Sequence, residues 1–419
     1  MSNQVPEGWN KAPLNRYVTR IRTPLDGKPE NVLTISSTAG WVDQREKWAR
    51  NMAGESLKKY TCLTRGELSY NRGNSKTFPY GCVFKLNRWS SAAVPNVYHS
   101  FRVIDGKADP DFVQYAFHGG TLDYQLRQII TSSARANGLL NITAADFFEI
   151  ELVAPPLPEQ RKIAKILTSV DEVIEKTQAQ IDKLKDLKTG MMQELLTQGV
   201  GVDGKPHTEF KDSPVGRIPK AWTTVCLSEV GKWKGGGTPS KANKDFWKGT
   251  IPWVSPKDMK SDVIYQTEDY ITEEAVHSSS TNLVSKNSLL MVVRSGILKH
   301  TLPIALAGSD LALNQDMKAL STSKACDVRY IFHYLQANNF KVLRATLKAG
   351  NTVESIDFSE FGKYAIPFPS LAEQKLIAGA VDSVLNRINA GQAKLNSLVN
   401  MKKALMQDLL TGKVRVAID

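Results

Sequence analysis

Four short segments carry side chains suited to contacting a phosphate or a base edge. The first is Lys234-Gly235-Gly236-Gly237-Thr238-Pro239-Ser240. A glycine-rich run beside lysines can cradle phosphate with backbone N–H groups. This one lacks the G-x-x-x-x-G-K-[ST] spacing, so a nucleotide P-loop is excluded, and it reads first as a turn that needs glycine dihedrals. The second is Tyr70-Asn71-Arg72-Gly73-Asn74-Ser75-Lys76. Asn and Arg on a turn are the side chains that hydrogen-bond adenine and guanine edges bidentately. Arg294-Ser295-Gly296-Ile297-Leu298-Lys299-His300 and Asn314-Gln315-Asp316 have the same character. A polar surface loop is the plainer alternative for each. The candidate nucleic-acid contacts are Asn71, Arg72, Asn74, Lys76, Lys234, Arg294, Lys299, Asn314 and Gln315.

Catalytic constellations are missing from the sequence. There is no [DNS]-P-P-[FYW] loop of the kind that holds an amino group for methyl transfer. The only paired prolines, Pro155-Pro156, lead into a helical pattern. There is no F-x-G-x-G for a methyl-donor cofactor and no nuclease motif with suitable spacing. No nucleophile has a nearby base. Cys62, Cys82, Cys226 and Cys326 form no C-x-x-C pair, and the histidines form no H-E-x-x-H, so neither a zinc site nor a disulfide framework is expected. The chain reads as a non-enzyme that binds no metal or cofactor of its own.

Charge points to a polyanionic partner. The 419 residues carry a net charge of +12. Residues 1–157 hold 19 basic and 14 acidic side chains, and residues 218–370 hold 18 and 14, whereas 158–217 balance at 10 each. Two basic globular segments with a neutral connector fit nucleic acid. No apolar run is long enough to span a membrane, and MSNQVPEGWN lacks the basic and apolar regions of a signal peptide, so a cytoplasmic location is expected.

An internal repeat must position these segments. LPEQRKIAKILTSV from Leu157 aligns with LAEQKLIAGAVDSV from Leu371, at an offset of 214. Over positions 157–198, 17 of 42 residues are identical, where chance gives about two or three. One residue out of register, Val5-Pro6-x-x-Trp9 matches Ile218-Pro219-x-x-Trp222. Each repeat reads as one long helix with apolar residues spaced alternately four and three apart, a coiled-coil seam. The first seam is Ile163, Leu167, Val170, Ile174, Ile181 and Leu184, and the second is Ile377, Val381, Val384, Ile388, Leu395 and Leu398. Both carry a lysine at the same point, Lys188 or Lys402, and a small residue at another, Thr177 or Gly391. Ser370-x-x-Glu373 reads as a capping box, and Gly199 and Gly412 as helix stops.

The expected fold is α+β: two tandem α/β domains separated by two long helices packed as an antiparallel coiled coil, with a pseudo-twofold internal repeat. Like halves related by a twofold axis must pair their helices antiparallel. The expected divisions are 1–155, a first variable domain; 156–199, a first spacer helix; 200–217, a linker; 218–369, a second variable domain; 370–412, a second spacer helix; and 413–419, a tail. Strand-like runs at 31–36, 81–86 and 289–294, and helical ones from Asp111 and Asp327, suggest a strongly bent sheet in each domain.

The chain resembles the specificity (S) subunit of Type I restriction–modification enzymes. The resemblance covers nearly its whole length. It rests on the P-P-L-P-E-Q-R-K-I-A and P-S-L-A-E-Q-K-L-I-A helix heads, the M-Q-E-L-L-T and M-Q-D-L-L-T tails, and the G-G-T-P-S and I-P-W-V-S stretches. What it implies is a subunit that does no chemistry. Each target recognition domain reads one half of a split, asymmetric site in double-stranded DNA, and the coiled coil sets the gap. Two modification (adenine methyltransferase) subunits dock on it, and two restriction (translocase/nuclease) subunits can join them. S-adenosylmethionine, ATP and Mg belong to those partners. The alternatives are the same module in a methylation-only or other phage-defence complex and, further off, a non-DNA coiled-coil adaptor.

Overall fold

The computed structural model describes residues 5–25, 31–48, 54–73, 75–130, 139–348 and 353–418. Asn74, one of the expected contacts, lies outside them. Two α-helices of 39 residues each, Leu157–Leu195 and Leu371–Leu409, are the longest elements. At 1.5 Å per residue each is about 58 Å long. Both stop because the chain turns left-handed at a glycine, Gly199 (φ 72°) or Gly412 (φ 70°). A side chain there would be strained. The capping box at the second helix head forms only by half. Glu373 N donates to Ser370 Oγ at 3.3 Å, but the Glu373 carboxylate turns away to a set of buried donors.

The chain divides into two compact units, 1–179 with 392–419, and 180–391. In the first unit the strands Val18–Arg20, His99–Val103, Leu68–Asn71 and Cys82–Lys85 form an antiparallel sheet in that order. The helix Pro110–His118 covers it, with Asp109 as N-cap. Asn10–Pro13 pairs with Glu151–Ala154, so the first domain starts and ends on one ribbon beside the helix head. Its core stacks Tyr70, Phe117 and Phe147 and continues into Ile163, Ala164 and Leu167 of the first long helix and Met406, Leu409 and Leu410 at the end of the second. Early residues of one helix therefore meet late residues of the other, and Lys402 reaches Asp171 at 2.6 Å.

In the second unit Gly231–Gly235, Met317–Thr322, Leu289–Val292 and Ile304–Ala307 repeat the same antiparallel order. Val263–Ile264 adds a parallel edge strand. A ribbon of Thr223–Cys226 with Ala365–Phe368 again joins the domain's ends. Met192 and Leu196 share a core with Ile377 and Val381, the same antiparallel helix contact. At Gly391 a Cβ would sit 2.9 Å from Ile181 Cγ1, which explains a small residue in the seam. The seam residues of both repeats are buried or half-buried.

Both domains are α+β, but the expected single bent sheet is divided. The first domain adds hairpins Leu33–Ser36 with Gly40–Asp43 and Thr61–Thr64 with Ser91–Val94, and the second adds a separate four-stranded sheet. Short strands ended by Gly, Pro and Asn turns cannot carry one ladder around a bend, and each piece buries its own apolar face. The shared order makes the two main sheets comparable strand by strand. Val18–Arg20 and Gly231–Gly235 are the matching edge strands, and Leu68–Asn71 and Leu289–Val292 the matching third strands. Arg72 and Arg294 each lie just beyond that third strand.

Candidate nucleic-acid interface

In the second domain the polar segments converge beyond one end of the main sheet. Arg294 leaves the strand Leu289–Val292 and forms an isolated bridge with Ser355. Its Nε lies 2.8 Å from Asp316 Oδ1. Asp316 is itself fixed, because its N–H donates to Asn314 Oδ1 at 2.6 Å and its carbonyl accepts from Val293 N at 2.8 Å. Asn314 is buried, so it shapes the turn. Gln315 is exposed at the tip and accepts from the Thr238 hydroxyl. Arg294, Ser295, Asp316, Pro256 and Ser355 line an open cavity of about 740 Å³. Lys299 pairs with Glu354 at 3.3 Å, and Lys234 is exposed on the edge strand.

The glycine run is a packing device. The N–H groups of Gly236 and Gly237 donate to the carbonyls of Met317 and Leu313. A Cβ on Gly236 would overlap the backbone of Leu313 and Asn314, and one on Gly237 would overlap Ser280. Groups spent in this way cannot cradle a phosphate.

The first domain uses its matching residues differently. Arg72 donates from Nε to Val97 O at 2.9 Å and from Nη1 to Ile142 O at 3.3 Å, so it braces three segments. Asn71 accepts from Gly73 N at 3.0 Å and donates to Ile35 O at 3.4 Å. Lys76 is exposed. Exposed Arg20, absent from the expected contacts, lies on the edge strand that matches the one carrying Lys234. Partial burial and then the Arg22 charge lower its pKa. What points to Arg20 is its place on the matching edge strand, which the divergent sequence hides.

Burial pushes His99 and His118 down to about 4, so both are neutral, donating from Nε2 to Ile142 O (3.2 Å) and Val83 O (2.6 Å). Burial lifts the thiols of Cys82 and Cys326 to about 12, which makes them inert.

The Glu-Gln pair at each helix head couples helix to domain. Gln160 Oε1 accepts from Asp109 N at 3.0 Å, and Gln374 Oε1 accepts from Asp327 N at 2.9 Å. Each glutamine fixes the N-cap of its domain's main helix. Glu373 accepts from Val200 N, Gly201 N, His207 Nε2 and Trp222 Nε1 at 2.8–3.1 Å. Glu159 instead takes both ends of the Arg415 guanidinium at 2.7 and 2.8 Å. The seam lysines also face the domains: Lys402 meets Asp171, which accepts from Tyr115 Oη at 2.7 Å, and Lys188 donates to Gln336 at 3.1 Å.

A duplicated helix head bound alike to two sheets of one topology has a counterpart among known families. Residues 93–186 and 219–400 match the family described as Type I restriction modification DNA specificity domain. The chain belongs to this family. Within the specificity family it is 39% identical over 237 residues to the Type I restriction enzyme EcoR124I/EcoR124II specificity subunit of Escherichia coli, covering 56% of this chain and 58% of that one. It is 27% identical over 297 residues to the MjaVIII specificity subunit of Methanocaldococcus jannaschii, covering 68% and 67%. The first match thus spans little more than half of its relative's length. In fold it resembles the S subunit of a Type-I restriction-modification system from M. genitalium, with TM-score 0.60, 14% identity and 98% of each chain covered. Among the described residues no His/Cys/Asp/Glu group is arranged to hold a metal, and no helix is long and apolar enough to cross a membrane.

Proposed function

We propose that this chain is the DNA-reading, non-catalytic subunit of a Type I restriction–modification complex. It binds a split, asymmetric site in double-stranded DNA, one half per recognition domain, and scaffolds two adenine methyltransferase subunits and a pair of restriction subunits. S-adenosylmethionine, ATP and Mg act on those partners, and the complex works in the cytoplasm. The observation that carries this reading is the pairing of sameness with difference. Both domains share one sheet order and one glutamine attachment at the helix head, yet the arginines beyond the matching strands differ in what they bind. A scaffold that meets like partners twice needs the constant part. A reader of two unlike half-sites needs the varied part.

The test is to produce the full chain with its methyltransferase partner and map methylated adenines on genomic DNA. The expected result is one bipartite motif with a fixed gap. Methylation without a motif, or without dependence on this chain, would remove the reading.

A further inference from the structure

Arg72 and Arg294 both lie just beyond the third strand of their sheets but are held differently. The Arg72 guanidinium is spent on two backbone carbonyls. Arg294 is 58% exposed in its side chain and is gripped by Asp316 through Nε. Among the described residues no protein group takes its Nη1 or Nη2. That terminal edge belongs to a residue lining the open cavity. Asp316 is three times constrained: its N–H by buried Asn314, its carbonyl by Val293 N, and its second carboxylate oxygen by Gln315 Nε2 at 3.4 Å.

As a stability device this pair is poor. An ion pair this exposed contributes little. As a phosphate anchor it is also poor, because Asp316 cancels the charge that would attract a phosphate. What the carboxylate supplies is position. It holds the Nε side of the guanidinium, and the two Nη groups remain as a pair of donors. The base edge with two acceptors at that spacing is guanine, through O6 and N7 in the major groove.

Resting on the DNA-reading function above, we infer that Arg294 is a specificity-determining residue that reads a guanine in the half-site of the second domain, with Asp316 as its positioning residue. Gln315, at the tip of the same turn and bonded to Thr238, borders the same site. The first domain, whose Arg72 is occupied, reads its half-site without it.

The experiment uses the full chain assembled with its methyltransferase partner, challenged with a randomised DNA library and scored by which molecules become methylated. The wild-type motif should contain a guanine, on one strand, that Arg294→Ala relaxes by roughly 5- to 150-fold in discrimination. The other half-site should be unchanged, which also shows that the variant is folded. Arg294→Lys should keep a weaker preference for the same guanine, because an ammonium reaches O6 and N7 without the rigid fork. Asp316→Asn should relax the same single position to a smaller degree, a result that a merely structural carboxylate would not give. Replacing that guanine with 7-deazaguanine, which lacks the N7 acceptor, should weaken wild type and leave Arg294→Ala unaffected. A uniform loss over all sequences, an unchanged preference, or relaxation at an A·T position would each overturn the assignment. If wild type selects no bipartite motif, the DNA-reading function itself fails.

Discussion

Replacing Glu373 with alanine should destabilise the second unit far more than the matching change at Glu159 destabilises the first. The two glutamates occupy one position of the repeat, and both are nearly fully buried. Their partners differ. Glu373 accepts from the Trp222 indole at 2.9 Å, from His207 at 2.8 Å, and from the N–H groups of Val200 and Gly201 at 3.1 Å each. Trp222 is fully buried, and Gly199 packs so closely that a Cβ there would lie 2.5 Å from both Glu373 Oε1 and Trp222 Cζ2. Water cannot replace the carboxylate without opening this packing. Each buried donor left unpaired costs about 1–3 kcal/mol. With two of the four donors fully enclosed, Glu373→Ala should cost on the order of 3–5 kcal/mol. In Glu159→Ala the freed group is Arg415, which already faces solvent and is rehydrated, so the loss should be small. Hydrogen exchange followed by mass spectrometry on the full chain separates the units, which a single melting curve does not. Protection should fall around residues 196–222 in the first variant and stay near wild type around residues 5–15 in the second. Equal losses in the two units, or a loss below ~1 kcal/mol for Glu373→Ala, would refute the view that this carboxylate ties the linker to the helix head.

Gly199→Ala and Gly412→Ala should each cost ~1–3 kcal/mol, measured by urea unfolding, because both need positive φ and a Cβ on Gly412 would lie 2.6 Å from Pro6 Cγ. The first unit should weaken in mild acid. His99 and His118 titrate near 4 when folded and near their ordinary 6.5 when unfolded, so the unfolded chain binds more protons between those values. Their contribution is present above pH 6.5 and lost as pH falls toward 4, on the order of 2–3 kcal/mol each. His99→Gln, which keeps a donor for Ile142 O, should flatten the pH profile, and an unaltered profile would remove His99 as a cause. Adding four residues after Gln178 lengthens the first helix by about 6 Å. The methylated motif should then keep its half-sequences and gain roughly two base pairs of gap at the 3.4 Å stacking distance, and an unchanged gap at full efficiency would assign the spacing to another element.

The sequence by itself determined the framework. Heptad spacing from Ile163 and from Ile377 declares two helices, because only a 3.5-residue period keeps one apolar stripe in line over so many turns. Gly199 and Gly412 announce their ends, because a left-handed residue is cheap only for glycine. The net positive charge of both domains is likewise a property of composition. Which polar residues work together was decided only by tertiary structure. Arg72 and Arg294 look alike in sequence, and what separates them is whether a carbonyl or a carboxylate lies within 3 Å, contributed by residues 25 and 22 positions away. Arg20 was hidden because the two domains keep the strand order while exchanging most side chains, and the order is set by pairing between distant segments. The Ser370 capping box failed by half for a related reason. A local rule offers Glu373 one backbone N–H, while the fold offers it four donors in a space closed to water, and the larger set wins.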